Sequence, residues 1–279
     1  MSAATAMRLV PSSKVPRALA IFNGGNALAS VLAAPLGSYL GSVIGWRGAF
    51  LCLVPVAALV FVWQWISLPP MKSEAVKAKP GSVFSIFTAL KSAPVAWGMG
   101  ACGAFLMGQF ILFTYVRPFL ETVTLIDVAA IYLVLLIVGA AGFLGTVLIG
   151  RFLGGLFRTL IVIPALMAII AAALVPFGGW FAAVVVLLGL WGLMSTAAPV
   201  GWWSWVAKAM PHNAEAGGGL MVAVIRTSIA IGSTVGGLLF DSNGYTGTFL
   251  SSAAVLVIAS LLAVATASAT RRLGRHKGG

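Results

Sequence analysis

The sequence predicts an all-α membrane protein of about eight transmembrane helices, and three observations carry that prediction. Of the 279 residues, 61% are hydrophobic and 8% charged, with a mean hydropathy of +1.08. A soluble domain carries roughly 25% charged residues, so too little polar surface exists here to cover a globule in water. The apolar residues are gathered into runs near the roughly 20 residues that one bilayer crossing requires. The Lys and Arg side chains stand in the gaps between the runs, concentrated in every second gap.

In chain order the predicted spans are 18–40, 46–69, 94–116, 127–150, 159–177, 180–206, 216–240 and 245–269. Pro69-Pro70, Gly178-Gly179 and Asn243-Gly244 punctuate several ends, as turn-forming pairs do. Of the 17 Lys and Arg, 14 fall on one side of this arrangement. Only Arg47 and Arg117 fall on the other, and Arg226 lies inside the seventh span. Cytoplasmic loops collect positive charge, so both termini are expected in the cytoplasm of a multi-pass inner (plasma) membrane protein. The same placement accounts for the formal net charge of +12 without a nucleic-acid partner. The longest polar stretch, 71–92, reads as a solvated basic linker, with a short surface helix over 82–90 as the alternative.

Enzyme chemistry finds little to stand on. Cys52 and Cys102 both lie in apolar runs, which disfavours a disulfide framework or a zinc site. His212 and His276 lie in predicted cytoplasmic segments, and the carboxylates Glu74, Glu121, Asp127, Glu215 and Asp241 lie at or beyond span ends. A membrane-embedded hydrolase needs a nucleophile with a base, or a metal cluster, at membrane depth. No catalytic residue, metal or cofactor is therefore expected, and no mid-span carboxylate is available to carry protons.

Small-residue stripes mark helix contacts, because association in lipid depends on close packing rather than on the hydrophobic effect. The first span carries Gly25, Ala29, Ala33, Gly37 and Gly41 at steps of four, with Pro35 beside them, and should be clamped along its length. Gly139, Gly142, Gly145 and Thr146 form a shorter stripe in the fourth span. In the seventh span, Gly219, Ala223, Arg226, Ala230, Ser233 and Gly237 define one small, polar face. The opposite face, Leu220, Val224, Thr227, Ile231, Val235 and Leu238, suits lipid or a dry interior. A mid-membrane Arg costs roughly 2.5–3.5 kcal/mol on insertion scales, so Arg226 is expected at a watery cavity, with snorkelling or a carbonyl partner as the alternative.

Candidate substrate-binding residues follow from the same reasoning. The third span ends in Gln109, Phe113, Thr114, Tyr115 and Arg117, and the Gln109 amide needs a partner inside its apolar run. Trp202, Trp203 and Trp205 close the sixth span; an aromatic belt at the interface is the first reading, with Trp203 as the ring that could turn inward and stack on a planar solute. The site expected from the residues is therefore Gln109, Phe113, Tyr115, Trp203, Arg226 and Ser233.

Beyond these patterns, the segment from Arg8 to Phe50 resembles the fourth-helix end and fifth helix of drug:H⁺-antiporter-type major facilitators. Ala34-Pro35-Leu36-Gly37 stands at the antiporter motif's Gly-Pro-x-x-Gly core, with Ala34 departing from it, and Gly45-Trp46-Arg47 matches its exit. The stretches 108–118, 199–205 and 222–241 are similar to the bacterial purine ribonucleoside efflux branch, of which one member has Gln in the place of Arg226.

The resemblance implies a major facilitator fold of twelve helices in two halves, rocking about a central cavity. On that scheme 1–70 is the two-helix remnant of the N-terminal half, 71–93 the cytoplasmic central loop and 94–279 the C-terminal six-helix half. The first three to four helices have no counterpart, and the first span would pair with the fourth. The implied function is export of a small, purine ribonucleoside-like solute in exchange for protons, by a monomer when full-length. Multidrug or sugar efflux, or an inactive truncated fragment, are the alternatives.

Overall fold

The computed structural model describes residues 15–67, 92–149, 155–210 and 214–276. Seven helices occupy them: α1 (Val15–Ser67), α2 (Ala93–Phe113), α3 (Val116–Thr122), α4 (Val128–Leu148), α5 (Leu156–Phe177), α6 (Phe181–Ala209) and α7 (Ala214–His276). Six membrane-length apolar helices arise from them, among the described residues, with α2 and α3 counted together. Two of the six, α1 and α7, are broken once each, at Gly45 and Gly244, so they supply eight apolar segments. Helices suit lipid because every backbone N–H and C=O is satisfied within the segment. The expected linker over 71–92, with its surface helix over 82–90, lies outside the described residues apart from Ser92.

The chain divides into two compact units, 1–81 and 82–279. The first contains α1 alone among described elements. Within it, nothing lies within 4 Å of where a Cβ would stand on Gly25, Gly37 or Gly41, so the predicted small-residue stripe is open in this unit.

The two breaks share a recipe. Gly45-Trp46-Arg47-Gly48-Ala49-Phe50-Leu51 and Gly244-Tyr245-Thr246-Gly247-Thr248-Phe249-Leu250 repeat a Gly-aromatic-x-Gly-x-Phe-Leu pattern. Gly45 (φ 72°, ψ 165°) and Gly244 (φ 64°, ψ −165°) hold a left-handed extended conformation that is essentially reserved for glycine. The second glycine of each pattern admits a close neighbour: a Cβ on Gly48 would stand 2.9 Å from the Ile44 side chain, and one on Gly247 would run into Asn243. In α7 the break reverses the chain. Thr248 Oγ1 donates to Gly236 O at 3.5 Å, although 12 residues of straight helix would separate them by about 18 Å. The two arms of α7 are therefore an antiparallel pair.

The second unit packs around α2. Gly232 meets Met107 O and Gly236 meets Ile111 O, where a Cβ would stand at 2.5 and 2.6 Å, so α2 and the first arm of α7 run parallel. Contacts of Gly100 with Leu262 and Gly108 with Leu256 run the opposite way, so the second arm is antiparallel to α2. Ser252 Oγ donates to Gly108 O at 2.6 Å across that contact. The second arm is tied to α5 by Ser260 Oγ, which donates to Ile161 O at 2.9 Å.

Gly142 and Gly145 of α4 receive Thr196 and Leu193 of α6, and Thr196 Oγ1 donates to Gly142 O at 2.6 Å. These glycines of the fourth span are thus occupied inside the second unit. The local reason is the reciprocal pair of glycines, Gly145 on α4 and Gly192 on α6, which lets the two backbones touch.

Tryptophan placement also differs from expectation. Trp202 and Trp205 are 1% and 2% exposed rather than forming an interfacial belt. Gly98 of α2 offers a seat without a side chain, and the ring of Trp205 lies on it.

Candidate functional site

The polar face of interest forms where α2 ends. Pro118 explains why it ends there: with no N–H it cannot bond Thr114 O, and its ring crowds the carbonyl four residues back. The helix tightens instead, Tyr115 N–H donating to Leu112 O at 2.9 Å, and resumes as α3. Tyr115 itself sits at φ −108°, ψ 11°. The predicted span 94–116 is thus α2 with its tightened turn, and α3 continues the chain beyond that span as a second short helix. Beyond α3, Asp127 caps α4 by accepting from Ala130 N–H at 2.9 Å.

This turn aims two side chains at the first arm of α7. Thr114 Oγ1 lies 3.0 Å from Ser233 Oγ and also donates to Phe110 O at 2.8 Å. Tyr115 reaches past it and its hydroxyl donates to the backbone oxygen of Ser233 at 3.0 Å. The Tyr115 ring stacks on Phe240, with centroids 5.3 Å apart. Gly237 makes this possible, because the Tyr115 hydroxyl occupies the space a Cβ there would need. Thr114 is exposed and Ser233 half-buried, so the hydroxyl pair opens onto the surface of the second unit.

Arg226 belongs to the same surface. It precedes Ser233 by two helical turns, about 10 Å along the axis and on the same side. It is exposed, and among the described residues it has no hydrogen-bond or ion-pair partner. Among the described residues Arg117 pairs with Glu121 on α3, at 2.8 Å, near the Thr114 end.

The face prediction for the seventh span needs correction. The side of α7 buried against α2 carries Met221, Gly232 and Gly236, which belong to neither predicted face. Gly219, Ala223, Arg226 and Ala230 are open, but so are Thr227, Ile231 and Leu238. The glycines at 232 and 236 allow a closer approach than either predicted face, and that approach sets the helix rotation.

The other expected residues are placed separately. Phe113 is half-buried and meets the Phe110 ring edge-on, with centroids 6.3 Å apart, and Trp203 is exposed; neither makes a hydrogen bond to Ser233. Gln109 is 9% exposed and buried within the unit; its Oε1, with Nε1 of Trp191 and of Trp202, has no partner among the described residues. Thr114 is not among the six expected site residues, and Pro118 four residues after it is the sequence signal for its position. Among the described residues no cluster of His, Cys, Asp and Glu could hold a metal ion.

These features define a multi-pass helical membrane protein with a polar, cation-bearing face and small-residue helix contacts. The sequence model of the Major Facilitator Superfamily matches residues 1–226, and the chain belongs to that superfamily of transporters. Among curated proteins it is 63% identical over 96% of its length to one from Pseudomonas aeruginosa named transcription regulatory protein OpdE. It is 35% identical over 95% of its length to the purine ribonucleoside efflux pump NepI of Salmonella paratyphi B, and 34% identical to that of Salmonella typhimurium. The chain covers 67% of the first of these relatives and 66% of the other two, about two thirds of their length.

Proposed function

We propose that the protein exports a small, purine ribonucleoside-like solute across the bacterial inner membrane in exchange for protons, by alternating access. On this reading unit 1 belongs to the N-terminal half of the transporter and α2–α7 form the C-terminal half, with both termini in the cytoplasm. The observation that carries the proposal is the face Arg226–Ser233–Thr114. An exposed guanidinium on α7 and a hydroxyl pair joining α7 to the end of α2 share one surface of a molecule otherwise built for lipid. Such groups at membrane depth belong on a water-filled path. Likeness to the purine ribonucleoside pumps supports the solute class, and likeness to the drug:H⁺ antiporters supports the exchange.

The test is retention of labelled inosine by cells expressing the chain, the Arg226→Ala variant or empty vector. Cells with the chain are expected to lose label several-fold faster than vector cells. Arg226→Ala should remove most of that difference, and an ionophore that collapses the pH gradient should remove all of it. Equal loss in all three strains rejects nucleoside export, whereas loss that persists without a gradient rejects the proton exchange alone. A second reading draws on the name of the Pseudomonas aeruginosa relative: solute movement through the protein feeds into gene expression. Transcript profiles that follow deletion of the chain but ignore Arg226→Ala would favour a regulatory role separate from export.

A further inference from the structure

The protons of the hydroxyl pair can be assigned. A carbonyl oxygen cannot donate, so the hydrogen bond from Thr114 Oγ1 to Phe110 O at 2.8 Å uses the threonine's only proton. The 3.0 Å contact between Thr114 and Ser233 must then carry the serine's proton towards the threonine. What remains free is two lone pairs on Ser233 Oγ and one on Thr114 Oγ1. Every unused position on this pair is an acceptor, and Thr114 is exposed. About 10 Å away along the same side of α7, Arg226 offers the opposite: a guanidinium has donors only. The face is therefore polarised, accepting at one end and donating at the other.

We infer that Thr114 and Ser233 form a subsite for neighbouring hydroxyl groups of a solute whose other end bears a hydrogen-bond acceptor or negative charge held by Arg226. The inference rests on the transport reading and narrows it. The solute is a sugar-bearing molecule with an acceptor-rich ring or acidic group, and Thr114 becomes a specificity residue beside Ser233. A planar base without its sugar leaves the three lone pairs without donors, and a bare sugar leaves Arg226 without an acceptor.

The experiment is equilibrium binding to the full chain in lipid nanodiscs, with inosine and with its dideoxy analogue lacking both sugar hydroxyls. Two lost hydrogen bonds of ordinary strength correspond to roughly a thirtyfold weakening, which is the expected difference for the unaltered protein. Ser233→Ala and Thr114→Val should each weaken inosine towards the analogue and leave the analogue's affinity unchanged. Thr114→Ser keeps a hydroxyl and should keep the discrimination.

Ser233→Ala retains the backbone oxygen that Tyr115 holds, so helix content and melting temperature should be maintained. Arg226→Gln should weaken both ligands by the same factor. If the unaltered protein binds inosine and the analogue equally, the hydroxyl pair only ties two helices together; the inference is then wrong while nucleoside export stands. If it binds neither, both readings fail.

Discussion

Tyr115 is held at both ends of its side chain, by the stack on Phe240 and by the hydroxyl bond to Ser233 O, and the hydrogen atom of Gly237 leaves room for it. Gly237→Ala places a methyl group in the position of the hydroxyl. Overpacking of this kind typically destabilises by about 1–3 kcal/mol, which a fall in melting temperature in detergent would register. Tyr115→Phe removes only the hydrogen bond and should cost about 1 kcal/mol. Because both changes break the same contact, the double variant should be no less stable than Gly237→Ala alone. Strictly additive losses would mean that Gly237 protects something other than this hydroxyl.

At the level of helices, two kinds of interruption shape the molecule, and their causes differ. Pro118 stops α2 by withholding a donor and crowding Thr114, while α3 carries on after a tightened turn. Gly45 and Gly244 break their helices through backbone conformations that other residues adopt only under strain. Alanine at either position is expected to cost about 1–3 kcal/mol. Since the two septets match in pattern and in dihedral angles, the two penalties should be similar in thermal unfolding. A large penalty at Gly244 with none at Gly45 would show that the shared pattern does not build the same corner twice.

Across the whole molecule, the distribution of basic residues makes a topological prediction. Leu125, 78% exposed in the turn between α3 and α4, should face the outside if the termini are cytoplasmic. With Cys52 and Cys102 replaced by serine, Leu125→Cys should react in intact cells with a membrane-impermeant maleimide, and a cysteine appended after Gly279 should not. The reverse pattern would invert the topology.

The crossings were readable in the sequence because each must satisfy its own backbone and match the bilayer, both local requirements. The rotation of α7 was not. With Gly219, Gly232, Gly236 and Gly237 distributed around one helix, several sides are small enough to pack, and only the backbone of α2 at Met107 and Ile111 selects among them. Tryptophans at span ends ordinarily mark the interface, and the seat at Gly98 that draws Trp205 inward lies more than a hundred positions away in the chain. The break at Thr114 could have been read from Pro118 by counting back four residues, since that effect is local.

The anchoring of Tyr115 through the main-chain oxygen at position 233, rather than through the serine side chain, separates two histories that selection usually couples. Any small residue presents the same carbonyl, so a lineage could exchange Ser233 and alter its cargo preference while the helices stay joined. Variation among descendants should thus be tolerated at 233 and punished at 115 and 237.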